Sequence, residues 1–328
     1  MSANLRARLA RGLERIWWRA KPPPRSLRVL AALYGLSAGR LERPQEKPDC
    51  PVIVVGNLTA GGNGKTPVVL AVVEHFLGQG LNPAIITRGY GGTATGTPLL
   101  VSADTDSRAC GDEARMLANR TVAPVWVCRL RAQALDRAIR SGADLVVSDD
   151  GLQHVGLPRS YELCLIDQRR GFGNGRLLPA GPLRQPIERL QSVDRVLYKR
   201  DEGSALKPDE WGFELSFDGW FNLQDRPLDP PPSGAKLHAV AGIADPEPFF
   251  SGLRSMGYRV QPHALQDHQP IDPDWLLSLA GPVVMTEKDA ARLDGRLQAD
   301  GLWVLRVRAM LPGQLLDELD SHVRKFKS

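Results

Sequence analysis

At 328 residues, with 42% apolar and 24% charged side chains, the chain is long enough for two domains and has a globular rather than a disordered balance. No uncharged apolar run reaches the ~18–20 residues that a membrane-spanning helix needs, and the four cysteines (50, 110, 128 and 164) form no CxxC and no close pair, which argues against a disulfide scaffold or a zinc site. The net charge of +5 sits entirely in residues 1–43, where ten Arg/Lys face two Glu; the remainder, with 32 basic against 35 acidic residues, is a poor nucleic-acid-coating surface.

The N-terminal arm, residues 1–45, predicts two helices. In the first, Leu5, Leu9, Leu13, Ile16, Trp17 and Ala20 share one face, with Arg8, Arg11, Arg15 and Arg19 beside it. An apolar stripe with a basic flank is the pattern of a helix lying on an anionic membrane. Pro22-Pro23-Pro24 ends this helix, and Ser26 is placed to cap a second, more apolar one running to Gly39. Packing of both helices on the body is the alternative. The Pro-broken charged leader does not suit a signal peptide.

Pro51 to Val55 reads as a buried parallel strand, and Gly56-Asn57-Leu58-Thr59-Ala60-Gly61-Gly62-Asn63-Gly64-Lys65-Thr66-Pro67 follows it, before a helix from Val68 to Leu77. A strand, a Gly-rich loop ending Gly-Lys-Thr and a helix form a phosphate-binding P-loop. Its residues Thr59, Ala60, Gly61, Gly62, Asn63, Gly64, Lys65 and Thr66 are expected around the phosphates of ATP. Lys65 would reach the β- and γ-phosphates, and the Thr66 hydroxyl would meet Mg²⁺. Asp144 to Ser148 predicts a second buried strand running into Asp149-Asp150-Gly151. Two adjacent carboxylates at a sheet edge call for a cation between them, so Asp149 and Asp150 join Thr66 as the expected Mg²⁺ residues. Gln153 and His154 lie near enough in sequence to reach the same crevice.

Between these motifs the chain alternates strands (Ala84–Thr87, Pro124–Val127) and helices (Gly111–Asn119, Arg131–Ser141), with more strands at Leu163–Asp167 and Arg195–Tyr198. That alternation predicts a doubly wound parallel sheet with ligands at the strands' C-terminal ends, where Arg88, Asp112, Arg129, Asp149 and Arg169 fall. Gly171 to Arg184, rich in Gly and Arg, suits an anion-accepting rim. Beyond Arg200, residues 212–223 predict a hairpin around Asp218-Gly219, and a Pro-rich linker follows to 232. A second α/β set occupies 233–310, and a terminal helix lies in 311–328. In the second set, the loop residues Asp267-His268 offer a candidate base. Thr286-Glu287-Lys288-Asp289 misplaces the lysine of a guanine-reading motif, so GTP specificity is not expected.

The fold class expected is therefore α/β: a P-loop NTPase-like core (46–205) with a smaller α/β lobe joined by a hairpin linker (206–232). Gly56 to Pro67, Arg88-Gly89-Tyr90-Gly91-Gly92, Gly111-Asp112-Glu113, Asp149 to His154, Gly171 to Arg184, Asp267-His268 and Thr286 to Ala290 together resemble the tetraacyldisaccharide 4′-kinase family. The resemblance runs from the arm to the last strand. It implies phosphoryl transfer from ATP, with Mg²⁺, to the 4′-hydroxyl of an acylated glucosamine disaccharide 1-phosphate in lipid A biosynthesis, at the cytoplasmic face of the inner membrane. It also implies a catalytic Asp–His pair at Asp112 and His268, with Lys65 on the phosphates. Arg88, Tyr90, Gln153, His154, Arg176 and Arg184 are the candidates for substrate contact, the last two for its 1-phosphate. No obligate protein partner and no nucleic acid is expected. The alternatives are a kinase or ligase of a small soluble metabolite and a membrane-recruited NTPase switch.

Overall fold

The structure is a computed structural model that describes residues 12–18, 22–38, 46–93, 96–102, 104–200, 205–266, 269–293, 297 and 300–327. Its strands are β1 (Val52–Gly56), β2 (Pro83–Thr87), β3 (Leu99–Val101), β4 (Val125–Val127), β5 (Leu145–Asp149), β6 (Tyr161–Asp167), β7 (Arg195–Lys199), β8 (Trp211–Phe221), β9 (Lys236–Ala241), β10 (Arg259–Ala264), β11 (Val283–Thr286) and β12 (Leu302–Met310). They join in the order β10-β9-β11-β12-β8-β7-β6-β1-β5-β2-β4-β3. Pairing is parallel apart from β3 with β4 and β8 with β12.

Every residue of β1, β2, β5 and β6 is buried, as their near-continuous Val/Ile/Leu runs require of strands covered on both faces. Successive side chains feed opposite cores: Ile53 and Val55 pack with the helix Lys65–Gly78, and Val52 and Val54 pack with the helix Arg131–Arg140. The second lobe repeats the scheme, with the helix Glu247–Ser255 on one face and the helix Pro273–Ser278 on the other. These are the doubly wound α/β lobes that the alternation predicts.

The joint differs from expectation. No hairpin forms at Asp218-Gly219; the segment runs through as one eleven-residue strand, β8. Gly219 (φ 114°) lies where the pairing with β12 slips register, so the Asp-Gly pair makes an irregularity within a strand instead of a turn. Asp218 stays in place because Arg120 donates to it at 3.2 Å. The chain reverses at Asn222–Arg226, where Asn222 N–H donates to the Arg226 carbonyl at 2.9 Å. β8 starts parallel to β7 and ends antiparallel to β12, so this pair carries the sheet from one lobe into the other. The terminal helix Gly313–Lys327 then returns to the first lobe, burying Leu315, Leu319 and Val323 in the core beneath the P-loop helix. Each such burial is worth about 1.5–3 kcal/mol. β3, the helix Ser107–Cys110 and the 3-10 turn Ile187–Ser192 carry too few residues for a periodic signal.

In the arm, residues 12–17 are helical, while Leu5, Leu9, Arg8, Arg11, Arg19 and Ala20 lie outside the described residues. The end of that helix packs on the body: Trp17 Nε1 donates to the Pro179 carbonyl at 2.9 Å, and the Arg170 guanidinium stacks 4.0 Å from the Trp18 ring. The second helix spans Arg25–Ala38. Its first backbone bond runs from Arg28 N–H to the Pro24 carbonyl, which puts Ser26 inside the first turn and not at the cap.

Candidate active site

β1 pairs with β5 so that Val55 lies opposite Asp149, and the loops leaving the two strands meet at one point of the sheet edge. The helix Lys65–Gly78 begins there. Its N-cap, Gly64, sits at φ 75°, where a side chain would strain the turn, and offers no side-chain cap. The first N–H groups of the helix are thereby left for a ligand, and the dipole favours an anion. Asn63 Nδ2 donates to Thr59 Oγ1 at 2.9 Å and Asn57 Nδ2 to the Thr59 carbonyl at 2.9 Å, fixing the loop. The Gly171–Arg184 segment is strapped to it: Ala60 N–H donates to the Pro182 carbonyl at 2.7 Å and Arg184 N–H to the Leu58 carbonyl at 2.6 Å.

Around this loop the charged groups are close. Lys65 Nζ donates to Asn57 Oδ1 at 3.1 Å and lies 3.7 Å from Asp150 Oδ1. Arg184 grips both oxygens of Asp150, each at 2.9 Å, and its second nitrogen also bonds the Asn57 side chain. Asp150 itself is held at φ 52°, a strained conformation for a residue with a side chain. Arg131 fastens it through the Asp150 carbonyl at 2.7 Å. Although burial works against ionisation, Lys65 and Arg184 hold the Asp150 carboxyl well below the usual carboxylate range.

Asp149 is the opposite case. It is 2% exposed, and its Oδ1 finds no hydrogen-bond partner among the described residues. Burial first, then the charges of Glu113 and Asp150, push it up to about 7, against the pull of Lys65 and Arg131. A buried carboxylate with an open oxygen beside a P-loop is a place for a cation. Among the described residues no group of three or more His, Cys, Asp or Glu could hold a metal by itself. Mg²⁺ needs no such cage, since it is commonly held by one or two carboxylates together with substrate phosphates. Asp149 and the Thr66 hydroxyl fit that donor set.

Asp112 opens the helix Asp112–Arg120, where a carboxylate suits the helix dipole. Its place is set by Gly111 (φ 89°), whose Cβ, if present, would stand 2.5 Å from the Tyr90 carbonyl. Only glycine lets the Arg88–Gly92 loop stack so tightly on this helix entry. Asp112 is buried and faces the second lobe, where Arg292 Nε donates to its Oδ2 at 2.9 Å. Its neighbour Glu113 pairs with Lys288 at 2.9 Å, and Arg120 at the helix end with Glu287 at 2.7 Å. His268, the expected partner of Asp112, and Asp267 lie outside the described residues.

The remaining candidates are spread along the cleft. Gln153 Nε2 donates to the Asn57 carbonyl at 2.9 Å and so belongs to the P-loop. The His154 ring meets the Arg129 carbonyl at 3.2 Å, and burial lowers its basicity. Arg88 and Tyr90 are exposed, Tyr90 by 65%. Arg176 lines a cavity of about 640 Å³ with Trp18, Arg169, Arg170 and Asp245. Arg184 is not with it but in the Asp150 fork. Asn57, Arg131 and Arg292 complete the site without having been singled out from sequence. Asn57, the residue after the β1 glycine, had a positional signal; Arg292 had none.

A Gly-rich loop feeding a helix N-terminus, a lysine, and a carboxylate pair on the neighbouring strand define a P-loop phosphotransferase. The sequence matches the tetraacyldisaccharide-1-P 4′-kinase family over residues 24–324. It is 42% identical over 307 residues to the tetraacyldisaccharide 4′-kinase of Pseudomonas aeruginosa, covering 90% of this chain and 91% of that protein, and 40% identical to that of Pseudomonas putida over 97% of each. The fold matches the crystal structure of LpxK from Aquifex aeolicus in complex with ATP, with a TM-score of 0.70, 22% identity and coverage of 98% and 99% of the two chains. The chain belongs to the tetraacyldisaccharide-1-P 4′-kinase family and is a kinase of lipid A biosynthesis.

Proposed function

We propose that the first lobe holds ATP while the cleft between the lobes presents the 4′-hydroxyl of an acylated glucosamine disaccharide 1-phosphate to it. The observation that carries this reading is Asp149: a buried carboxylate near neutral in basicity, with an open oxygen, one strand from the P-loop. The loop amides of Thr59–Thr66 and Lys65 bind and orient the phosphates, which is most of what phosphoryl transfer asks of a protein. Asp149 and Thr66 would hold Mg²⁺, which when bound would supply neutralising charge at the transferring group. Asp150, engaged by Arg184 and Lys65, keeps Lys65 in place. Asp112 and His268 share the task of orienting and deprotonating the acceptor hydroxyl, with the imidazole taking the proton.

The acceptor's anionic end needs positive charge outside the P-loop. Arg176 and its neighbours in the cavity beside Trp18 supply it, whereas Arg184 is already engaged. A substrate with acyl chains also needs a lipid surface. No described helix is long and apolar enough to cross a membrane. On the helix Arg25–Ala38, however, Val29, Leu30, Leu33 and Leu36 are 51–67% exposed on one side, while Ala31 and Ala38 pack inward and Tyr34 hydrogen-bonds the Arg184 carbonyl. This exposed stripe, with Arg25 and Arg28 on the same helix, suits insertion into an anionic bilayer. On this reading the enzyme works at the cytoplasmic face of the inner membrane, with the basic residues of the arm toward anionic lipid.

Incubation with ATP, Mg²⁺ and the detergent-dispersed disaccharide 1-phosphate tests the reading. A product one phosphate heavier, modified at the 4′ position and missing with Lys65→Ala, is expected. ATP hydrolysis without acceptor phosphorylation would contradict it.

A further inference from the structure

We propose that Arg292 is a positioning residue for phosphoryl transfer, the second-lobe group that fixes the Asp112 carboxylate in its working orientation. The proposal rests on the reading of Asp112 as a member of the pair that activates the acceptor.

The guanidinium spends each of its nitrogens on a different partner. Nε donates to Asp112 Oδ2 at 2.9 Å, Nη1 to Asp289 Oδ1 at 2.9 Å, and Nη2 to the Gly242 carbonyl at 3.0 Å. The planar fork therefore cannot rotate about one contact without breaking the other two. Its support is itself fixed. Asp289 is fully buried, accepts Gly242 N–H on both oxygens at 3.0 Å, and accepts the Thr286 hydroxyl. It thus ties together the chain leaving β9 and the chain leaving β11, and presents Arg292 from the pair.

The space is cut for this arrangement. A Cβ on Gly242 would stand 2.6 Å from Arg292 Nη1 and 2.7 Å from Asp289 Oδ1. The Arg292 and Asp112 side chains are 7% and 8% exposed, so water does little to screen their contact. The outlying pairs Glu113–Lys288 and Arg120–Glu287 also join the lobes. What Arg292 adds is a fixed direction for one carboxylate, the kind of constraint on which a positioned catalytic group depends.

The test uses the full chain with Arg292→Gln, Arg292→Lys, Asp112→Asn and the Arg292→Gln/Asp112→Asn double variant. The readouts are kcat, the KM for ATP, and thermal unfolding to confirm folding. Arg292→Gln is expected to lower kcat by about tenfold or more, leave the KM for ATP within about twofold, and add almost nothing on the Asp112→Asn background, because the two act as one unit. Arg292→Lys, which keeps the charge and the stem but not the fork, should fold and show an intermediate kcat. A folded variant of either kind with wild-type kcat would overturn the proposal, as would a loss that multiplies in full with that of Asp112→Asn. Wild-type turnover by Asp112→Asn would instead remove the underlying reading of Asp112. Impaired Asp112→Asn beside unimpaired Arg292→Gln removes the present proposal alone.

Discussion

The two walls of the cleft are assembled in different ways. On the first-lobe wall, Asn57 and Asp150 lie 3.1 and 3.7 Å from Lys65 Nζ, and Asp149, the residue before Asp150, ends the strand paired with β1. The pairing of β1 with β5 brings them together, and Arg184 and Arg131 then fix Asp150. On the other wall, Asp112 meets Arg292 across 180 positions of sequence, and the contact joins the two lobes. On the proposed function, phosphate binding is thus a local property of one lobe, and acceptor activation is a property of their docking.

The largest expected effect breaks the first wall. Lys65→Ala or Thr66→Ala should reduce kcat/KM by at least ~10³-fold, since each removes a group aimed at charge on the phosphates or at the metal. Thermal unfolding should stay cooperative, and wild-type turnover by either folded variant would remove the P-loop assignment. On the second wall, Asp112→Ala and His268→Ala should each lower kcat by at least ~10²-fold, with the double variant scarcely worse. Strictly multiplicative losses would show that the two residues do not act together.

A smaller perturbation sharpens the comparison. Gly242→Ala inserts a methyl against Arg292 and Asp289, an overpacking of roughly 1–3 kcal/mol. A fall of about tenfold in kcat with unchanged ATP binding is expected, whereas weakened ATP binding would mean that the walls are not independent. The smallest effect on transfer belongs to the lipid-facing helix. Leu33→Asp/Leu36→Asp should leave turnover of detergent-dispersed substrate unchanged while much of the protein is lost from co-sedimentation with anionic vesicles. Unchanged co-sedimentation would assign that helix a role other than membrane contact.

The same division governs what could be read from the sequence. Val52 to Thr66 and Leu145 to Asp150 are contiguous, and their pattern of apolar strand, glycine and charge is a consequence of local geometry, so strand, loop and carboxylates were all legible there. Asp218-Gly219 misled because a pair that favours a tight turn also fits an irregularity inside a strand, and only the pairing of β8 with β12 decides between them. The choice between Asp149 and Asp150 was illegible for a related reason. Two identical neighbours differ only through Arg184, Arg131 and Glu113, which tertiary contacts bring. Trp17 carried an amphipathic signal, yet it and Trp18 pack on the Arg170–Pro179 segment, and among the described residues an exposed apolar stripe lies on the helix Arg25–Ala38. Periodicity shows that a face is apolar and leaves open what covers it.

The separation of the two walls is tested most directly by calorimetric titration of Mg·ATP into the full chain carrying Asp112→Ala, alongside its kcat. The account predicts a Kd within about twofold of wild type while kcat falls at least ~10²-fold. A Kd that weakens in parallel with kcat would contradict it, since nucleotide binding would then depend on the lobe contact as much as transfer does.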